Sequence, residues 1–291
     1  MQRIDMTIII LTKNEELNIE RCINSVKSLA KRIVVIDSAS TDRTVEIARS
    51  LGAEVFEHLP FISHGNQFNW ALDNIDINTT WVYRIDADEE VPEDLQNEIK
   101  QACILHANDD VTAFEMRFKI FFMGRFLYHG GAYPFRKVNI FKYGKARFNE
   151  ILMRDDVMIM EGHVEKLLND CLHYDFKDLT SWILKHNWYA DCEVDTYFKQ
   201  DKANEGIEML SEDAKKRKTI KNKFYYNLPK FLRAKLYFWF RYYIQLGFLD
   251  GHAGFVYAYL QAYWYRVLID AKITEREWNN IRLNEDTLDT H

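Results

Sequence analysis

Asp86 and Asp88 stand one residue apart where an apolar run ends, in Tyr83-Arg84-Ile85-Asp86-Ala87-Asp88-Glu89. Two carboxylates in that spacing offer hard oxygen ligands to Mg2+ or Mn2+, and an ion held by so few protein groups keeps positions open for phosphate oxygens. Acidic pairs are common in solvated turns, so this one gains meaning only from its place. It is the last of three polar clusters that each follow an apolar run; the others are Thr12 to Glu15 and Asp37 to Asp42. In the middle cluster, Val34-Val35-Ile36-Asp37-Ser38-Ala39-Ser40-Thr41-Asp42-Arg43-Thr44, Ser40, Thr41 or Asp42 has the side chain to cap a helix. Asp37, a carboxylate closing an apolar strand, suits hydrogen bonding to a base or a ribose.

The elements that must position these clusters alternate in type. Met6 to Leu11 reads as a buried strand, Glu15 to Leu29 as a helix, Arg32 to Asp37 as a strand and Asp42 to Leu51 as a helix stopped by Gly52. Ala53 to Glu57 follows as a strand, Gly65 to Asn74 as a helix, and Trp81 to Asp86 as a fourth strand. Pro92 fits a helix first turn, with Glu93 and Asp94 placed against the N-terminal dipole. Alternation of this kind predicts an α/β fold with a mostly parallel, Rossmann-like sheet, whose ligands bind at the carboxyl ends of the strands. From Thr112 to Phe148 the pattern is β-rich and punctuated by glycine, a candidate acceptor side for the cleft. Asp178 to Gln200 reads as helix, and aromatic-rich helices at about residues 229 to 248 and 253 to 269 follow.

Together, LTKNEE after the first strand, VVIDSASTDRT after the second and RIDADEE after the fourth make the chain resemble family 2 glycosyltransferases. The resemblance implies a GT-A fold, a divalent metal and inversion at the sugar's anomeric carbon. The chain is further similar to bacterial lipopolysaccharide core β-1,4-glucosyltransferases, through Gly131-Ala132-Tyr133-Pro134, Val138 to Phe141, Asn149-Glu150, Leu172-His173-Tyr174 and Gly247 to Gly251. Three positions depart from that pattern: Asn149 stands for a His, and Asn139 and Phe68 for arginines. Arg136 and Lys137 are close enough in sequence to supply phosphate contacts instead. By the same resemblance, Thr12, Glu15 and Asp37 contact uridine, with Ser40, Asn69 and Arg136 also expected on the nucleotide sugar. Asp86 reaches the ribose or a metal-bound water, Asp88 holds the Mn2+ or Mg2+ ion, and His173 completes the metal site. Glu150 matches the general base that deprotonates the acceptor hydroxyl, ahead of Asp155 or Asp156. The implied substrates are a UDP-sugar carrying glucose or GlcNAc and a lipopolysaccharide core or other lipid-linked glycan.

Domain limits follow: residues 1–175 form the catalytic domain, with nucleotide-sugar binding in 1–110 and the acceptor side in 111–175, and residues 176–291 form a helical region. Composition narrows the partners. A net charge of −6 argues against general nucleic-acid binding, which needs a basic excess. Four widely spaced cysteines form no zinc or disulfide pattern and fit a reducing cytoplasm. The N-terminal apolar run is too short for a signal peptide, and no segment has the roughly 20 apolar residues that span a bilayer. Aromatics make up 14% of the chain, and Phe224 to Tyr265 interleaves rings with Lys223, Lys230, Arg233, Lys235, Arg241 and Arg266. Such helices suit an anionic membrane surface on the cytoplasmic face, or a packed appendage or homo-oligomer interface. The rival functions are a polyprenyl-phosphate glycosyltransferase, a nucleotidyltransferase, and a non-catalytic nucleotide-binding membrane scaffold. Against the nucleotidyltransferase, Thr12 to Glu15 lacks a glycine-rich basic loop.

Overall fold

The computed structural model describes residues 3–148, 158–174, 177–199 and 212–288. Five strands and four helices make up the first hundred residues: β1 (Ile4–Thr12), α1 (Ile19–Val26), β2 (Ala30–Asp37), α2 (Thr44–Ser50), β3 (Glu54–Glu57), α3 (His64–Asn74), β4 (Trp81–Asp86), β5 (Glu89–Glu90) and α4 (Glu93–Leu105). Then come β6 (Val111–Phe122), β7 (Arg125–Phe126), β8 (Phe135–Lys142), β9 (Ala146–Phe148), β10 (Met158–Met160) and β11 (His163–His173). The path through the main sheet runs β3-β2-β1-β4-β8-β6-β11-β5, with β7 paired to β6, while β9 and β10 form a separate ribbon. β1 lies parallel to both β2 and β4, and β11 parallel to β6; β8 runs antiparallel to β4 and β6.

β1 sits between two parallel neighbours and under helices, so Met6, Ile8, Ile9 and Ile10 are wholly buried and the strand reads as a continuous apolar run. On one face α1 contributes Ile19, Cys22, Ile23 and Val26 at helical spacing, and α4 adds Leu95, Ile99 and Cys103. On the other, Phe68, Ala71 and Leu72 of α3 pack with Ile9, Val34 and Val82. Each large side chain so buried contributes about 1.5–3 kcal/mol. Phe68, standing where similar chains carry Arg, meets Phe141 and Phe148 edge-on at 6.1 and 5.5 Å, and its role is packing. Asn139 is buried as well.

Helices α1 and α2 start later than their sequence patterns propose, at Ile19 and Thr44, because the preceding polar residues are consumed in loop-to-loop hydrogen bonds. Pro92 is the N-cap of α4 and not its first turn.

The described residues from 177 onward are mainly helical. α5 (Leu179–Phe198) is capped by Asp178, which accepts from the Ser181 amide at 2.8 Å. α6 (Glu212–Ile220) runs on through a π turn at Lys221–Tyr225, and α7 (Leu232–Trp239) through another at Phe240–Ile244. A short 3-10 turn at Gly247–Asp250 leads into α8 (Gly251–Tyr257), a π segment (Ala258–Trp264) and α9 (Tyr265–Leu288). The segment expected to be a helix from 253 to 269 is therefore part of a much longer helical rod. Its approach to the 3-10 turn requires glycine: a Cβ on Gly254 would lie 2.4 Å from the Gly247 carbonyl oxygen. Among the described residues, no helix is long and apolar enough to cross a membrane.

Candidate active site

Strand register assembles the site. Thr12 lies opposite Asp37 across β1 and β2, and Leu11 opposite Asp86 across β1 and β4. All three clusters therefore emerge from one edge of the sheet.

The buried Asp37 carboxylate organises the first loops. It accepts from Thr12 Oγ1 at 2.9 Å, from the Ser40 amide at 2.7 Å and from Ser40 Oγ at 2.6 Å. Ser40 Oγ in turn accepts from the Asn14 amide at 2.8 Å, and Asn14 Oδ1 accepts from the Thr41 amide at 2.8 Å. Asn14 and Ala39 both hold positive φ, at 55° and 57°. Asn takes that conformation readily, whereas Ala strains the backbone there by about 1–2 kcal/mol, a cost met by the hydrogen bonds on either side. Asp42, one of the candidate caps, stands one residue before the N-cap Arg43; it accepts from the Glu16 and Thr44 amides and so ties the start of α2 to the loop after β1.

Glu15 is held by Lys177 Nζ at 2.6 Å and by Asn18 Nδ2 at 2.8 Å. Burial, followed by the nearby Asp88 charge, pushes its carboxyl upward. At the end of β4, Arg84 donates to Asp86 Oδ1 at 2.8 Å and Lys137 Nζ approaches Asp86 Oδ2 at 4.0 Å. Burial would raise Asp86, but these cations and the neighbouring histidines outweigh it and hold the carboxyl well below its usual range. His173 closes β11 opposite Glu89, placing its Nε2 3.4 Å from Asp88 Oδ2. Asp86, Asp88 and His173 thus converge although the histidine lies 85 residues downstream of Asp88 in sequence.

These groups open into a cleft of about 1590 Å3 whose walls include Thr12, Glu15, Asp86, Asp88 and His173. Four of the expected nucleotide-sugar residues, Asp37, Ser40, Asn69 and Arg136, do not line it; Asp37 and Ser40 stand behind the wall and hold the loops that do. The Asn69 amide brackets the Phe148 backbone, donating to its carbonyl and accepting from its N–H, each at 3.0 Å. On β8, alternate side chains face opposite ways, so Arg136 and Lys137 cannot both face the carboxylates. Lys137 is the one that does. Glu150, Asp155 and Asp156 lie outside the described residues.

One side of the cleft is an aromatic wall. Phe61 meets His64 at 5.2 Å and Trp188 at 5.8 Å, all on the cleft surface, and burial brings His64 down to about 4. Trp188 comes from α5, far away in the chain, so local pattern offered no signal for it. The aromatic C-terminal helices, for which a packed appendage was one of the expectations, roof the cleft, with Tyr225, Leu236, Tyr237 and Phe240 lining it. Three cations there are turned inward or engaged: Arg233 is buried against Asp270, Arg241 bonds the Gly130 carbonyl, and Lys230 pairs with Glu277.

A sheet with β1, β2 and β4 in parallel, and with Glu15, Asp86 and Asp88 facing a cleft just beyond the carboxyl ends of β1 and β4, defines an α/β protein of the kind whose ligands bind at those strand ends. The chain belongs to glycosyl transferase family 2, whose pattern it matches over residues 7–153. It is 30% identical over 212 residues to an uncharacterized glycosyltransferase of Rickettsia typhi, spanning 70% of this chain and 71% of that one. It is 24% identical to the lipopolysaccharide core biosynthesis glycosyltransferase LpsC of Rhizobium meliloti, over 99% of both chains. A solved structure of glucosyl-3-phosphoglycerate synthase from Mycobacterium tuberculosis, with Mn2+, UDP-glucose and phosphoglyceric acid, overlaps 39% of this chain and 44% of that one, with 22% identity and a TM-score of 0.34. This chain spans less than half of that enzyme's length.

Proposed function

We propose that the protein transfers a hexose, glucose or GlcNAc, from a UDP-sugar to a hydroxyl of a lipopolysaccharide core or other lipid-linked glycan, with inversion and with Mn2+ or Mg2+. The observation that carries this reading is the convergence of Asp86, Asp88 and His173 on the cleft at the carboxyl end of β4 in a family 2 chain. Thr12, Glu15, Asp37 and Ser40 form the uridine end, with Asp37 fixing the loop and the Glu15 region shaping its floor.

The donor set fits a divalent cation of a particular kind. Among the described residues, no three His, Cys, Asp or Glu side chains are gathered as a ready cage. A hard cation held by one or two carboxylates plus substrate phosphates needs no such cage. Asp88 would hold it, with Asp86 and His173 beside it, and when bound it offsets charge on the departing diphosphate. Asp86 stays ionised through Arg84 and Lys137, and the Lys137 ammonium stands ready for a phosphate oxygen. Glu150 is assigned the proton of the attacking hydroxyl, a role worth about two to four orders of magnitude in rate.

LpsC is named for lipopolysaccharide core biosynthesis, and that supports a lipid-linked acceptor here. So does the apolar surface of the helical roof, where Trp239, Tyr243, Ile244 and Leu249 are each half exposed or more. Because most of the basic side chains expected at a membrane are turned inward, inner-leaflet docking in this reading rests on those rings and aliphatic groups, helped by exposed Lys223 and Lys235.

The test is a screen of UDP-sugars for metal-dependent UDP release, with and without truncated glycan acceptors. Asp88→Ala is expected to abolish turnover and metal-dependent UDP binding, and Glu150→Gln to slow transfer while UDP affinity holds. Near-parental turnover by Asp88→Ala stripped with EDTA would overturn the metal's role; parental transfer by Glu150→Gln would overturn the base.

A further inference from the structure

The roof of the cleft carries two guanidinium groups without carboxylate partners. Arg241, in the π turn after α7, donates from Nε to the Gly130 carbonyl and from Nη1 to Tyr237 Oη at 2.8 Å. Arg266, on α9, lies 5.3 Å from the Tyr237 ring, 5.7 Å from Tyr225 and 5.2 Å from Tyr265, and its buried Nε has no hydrogen-bond partner. Among the described residues, no carboxylate comes within 4.0 Å of either group. The neighbouring acids are already engaged: Asp270 by Arg233, and Glu193 by Lys221 and by Tyr226 Oη at 3.3 Å. Glu193 acts on Arg266 only at longer range.

Both guanidinium groups are half-buried in the cleft wall and paired to no carboxylate, so an oxyanion arriving there would meet two cations already partly stripped of water. The Tyr237 hydroxyl registers the field. Burial alone would push it up, yet Arg241 and Arg266 prevail and draw it down to about 8. Beside the pair, the Tyr225 hydroxyl, a donor, is also buried without a partner, and the residue lines the cleft. The group is pinned to the acceptor side: a Cβ on Gly131 would lie 2.5 Å from Gln245 Oε1 and 3.2 Å from Arg241 Nε.

We propose that Arg241, Arg266 and Tyr237 form a binding site for an oxyanion, phosphate or carboxylate, carried by the acceptor. Guanidinium N–H forks match both groups geometrically, and the surrounding rings exclude water, which strengthens each contact. The donor diphosphate belongs with a different set of groups, Asp86, Asp88 and Lys137, which face the cleft from the end of β4, the turn after it and β8. The word acceptor rests on the glycosyl-transfer reading, whereas the oxyanion site stands on its own geometry.

The experiment titrates the full-length protein with inorganic phosphate at constant ionic strength, by calorimetry and by the tyrosinate absorbance of Tyr237. Phosphate is expected to bind with or without saturating UDP and Mn2+, and to suppress the tyrosinate signal at mildly alkaline pH. Arg266→Gln should weaken phosphate at least tenfold with UDP affinity preserved, which also certifies its fold. Arg266→Lys should recover part of the binding, and Tyr237→Phe should remove the absorbance change. Gluconate replaces phosphate in a parallel arm: phosphate selectivity assigns a phosphorylated acceptor, and equal binding a sugar acid. Displacement of phosphate by UDP, or equal phosphate affinity in the parent and Arg266→Gln, would overturn the proposal. If phosphate binds as described and no UDP-sugar is turned over, the oxyanion site survives and the transferase reading falls.

Discussion

Replacing Asp37 by Asn tests whether one buried carboxylate holds the nucleotide end together. Its two oxygens accept three hydrogen bonds: Thr12 and Ser40 hydroxyls on Oδ1, the Ser40 amide on Oδ2. With the new NH2 at the Oδ2 position, two N–H donors would face each other. The amide must therefore put NH2 toward the hydroxyls, yet Ser40 Oγ already accepts from the Asn14 amide. Three charge-assisted bonds, each contributing about 1.5–3 kcal/mol, give way to neutral ones of about 0.5–1.5 kcal/mol, one of them poorly oriented. The expected loss is about 2–4 kcal/mol, or a fall in Tm of about 4–10 °C for a chain of this size. Because the same bonds fix the positive-φ Ala39 turn, UDP affinity should fall at least tenfold. Thermal unfolding and UDP titration of purified Asp37→Asn read both effects. A Tm within about 1 °C of the parent with unchanged UDP affinity would show that the loop is held by other contacts.

The Arg233–Asp270 pair is buried on both sides, and Asp270 Oδ2 also accepts from the amide of Phe231, whose φ is 62°. Asp270→Ala strands the guanidinium and should cost about 3–5 kcal/mol in thermal unfolding, whereas Arg233→Met/Asp270→Leu should cost much less; equal losses would refute the stranded-charge argument. His64 is neutral in the fold because burial lowers it to about 4 from 6.5. The unfolded chain thus binds the extra proton between those values, and stability falls as pH drops from 6.5 toward 4, by about 1–2 kcal/mol after allowing for partial exposure. His64→Gln should lose less Tm than the parent between pH 7 and pH 4.5, and an identical loss would remove His64 as the cause. In liposome sedimentation, Trp239→Ser/Ile244→Ser should release the protein from anionic vesicles into the supernatant. Vesicle binding equal to the parent's would refute docking through those side chains, and concentration-dependent self-association without vesicle binding would assign the surface to a second copy of the chain.

Much of the strand-end cluster was legible because its determinants are local. Alternating apolar runs and helical periodicity fixed β1, β2 and β4, and a parallel sheet places whatever follows such strands at one edge. Thr12, Asp37, Asp86 and Asp88 were visible for that reason. Asn69 and Arg136 show the limit. Both stand near the right elements, but helix phase and strand alternation point Asn69 at Phe148 and leave Lys137, not Arg136, facing Asp86. The sequence by itself determined the strand-end chemistry, since residue type and period are properties of a short segment. Tertiary structure alone decided the rest: that β11 returns parallel to β6 and brings His173 to Asp88, that α5 supplies Trp188 and Lys177, and that the aromatic helices roof the cleft with Arg241 and Arg266 turned inward. Such contacts join residues from 52 positions apart (His163 and Val111) to 162 (Lys177 and Glu15), and only the packing of whole elements against one another selects them.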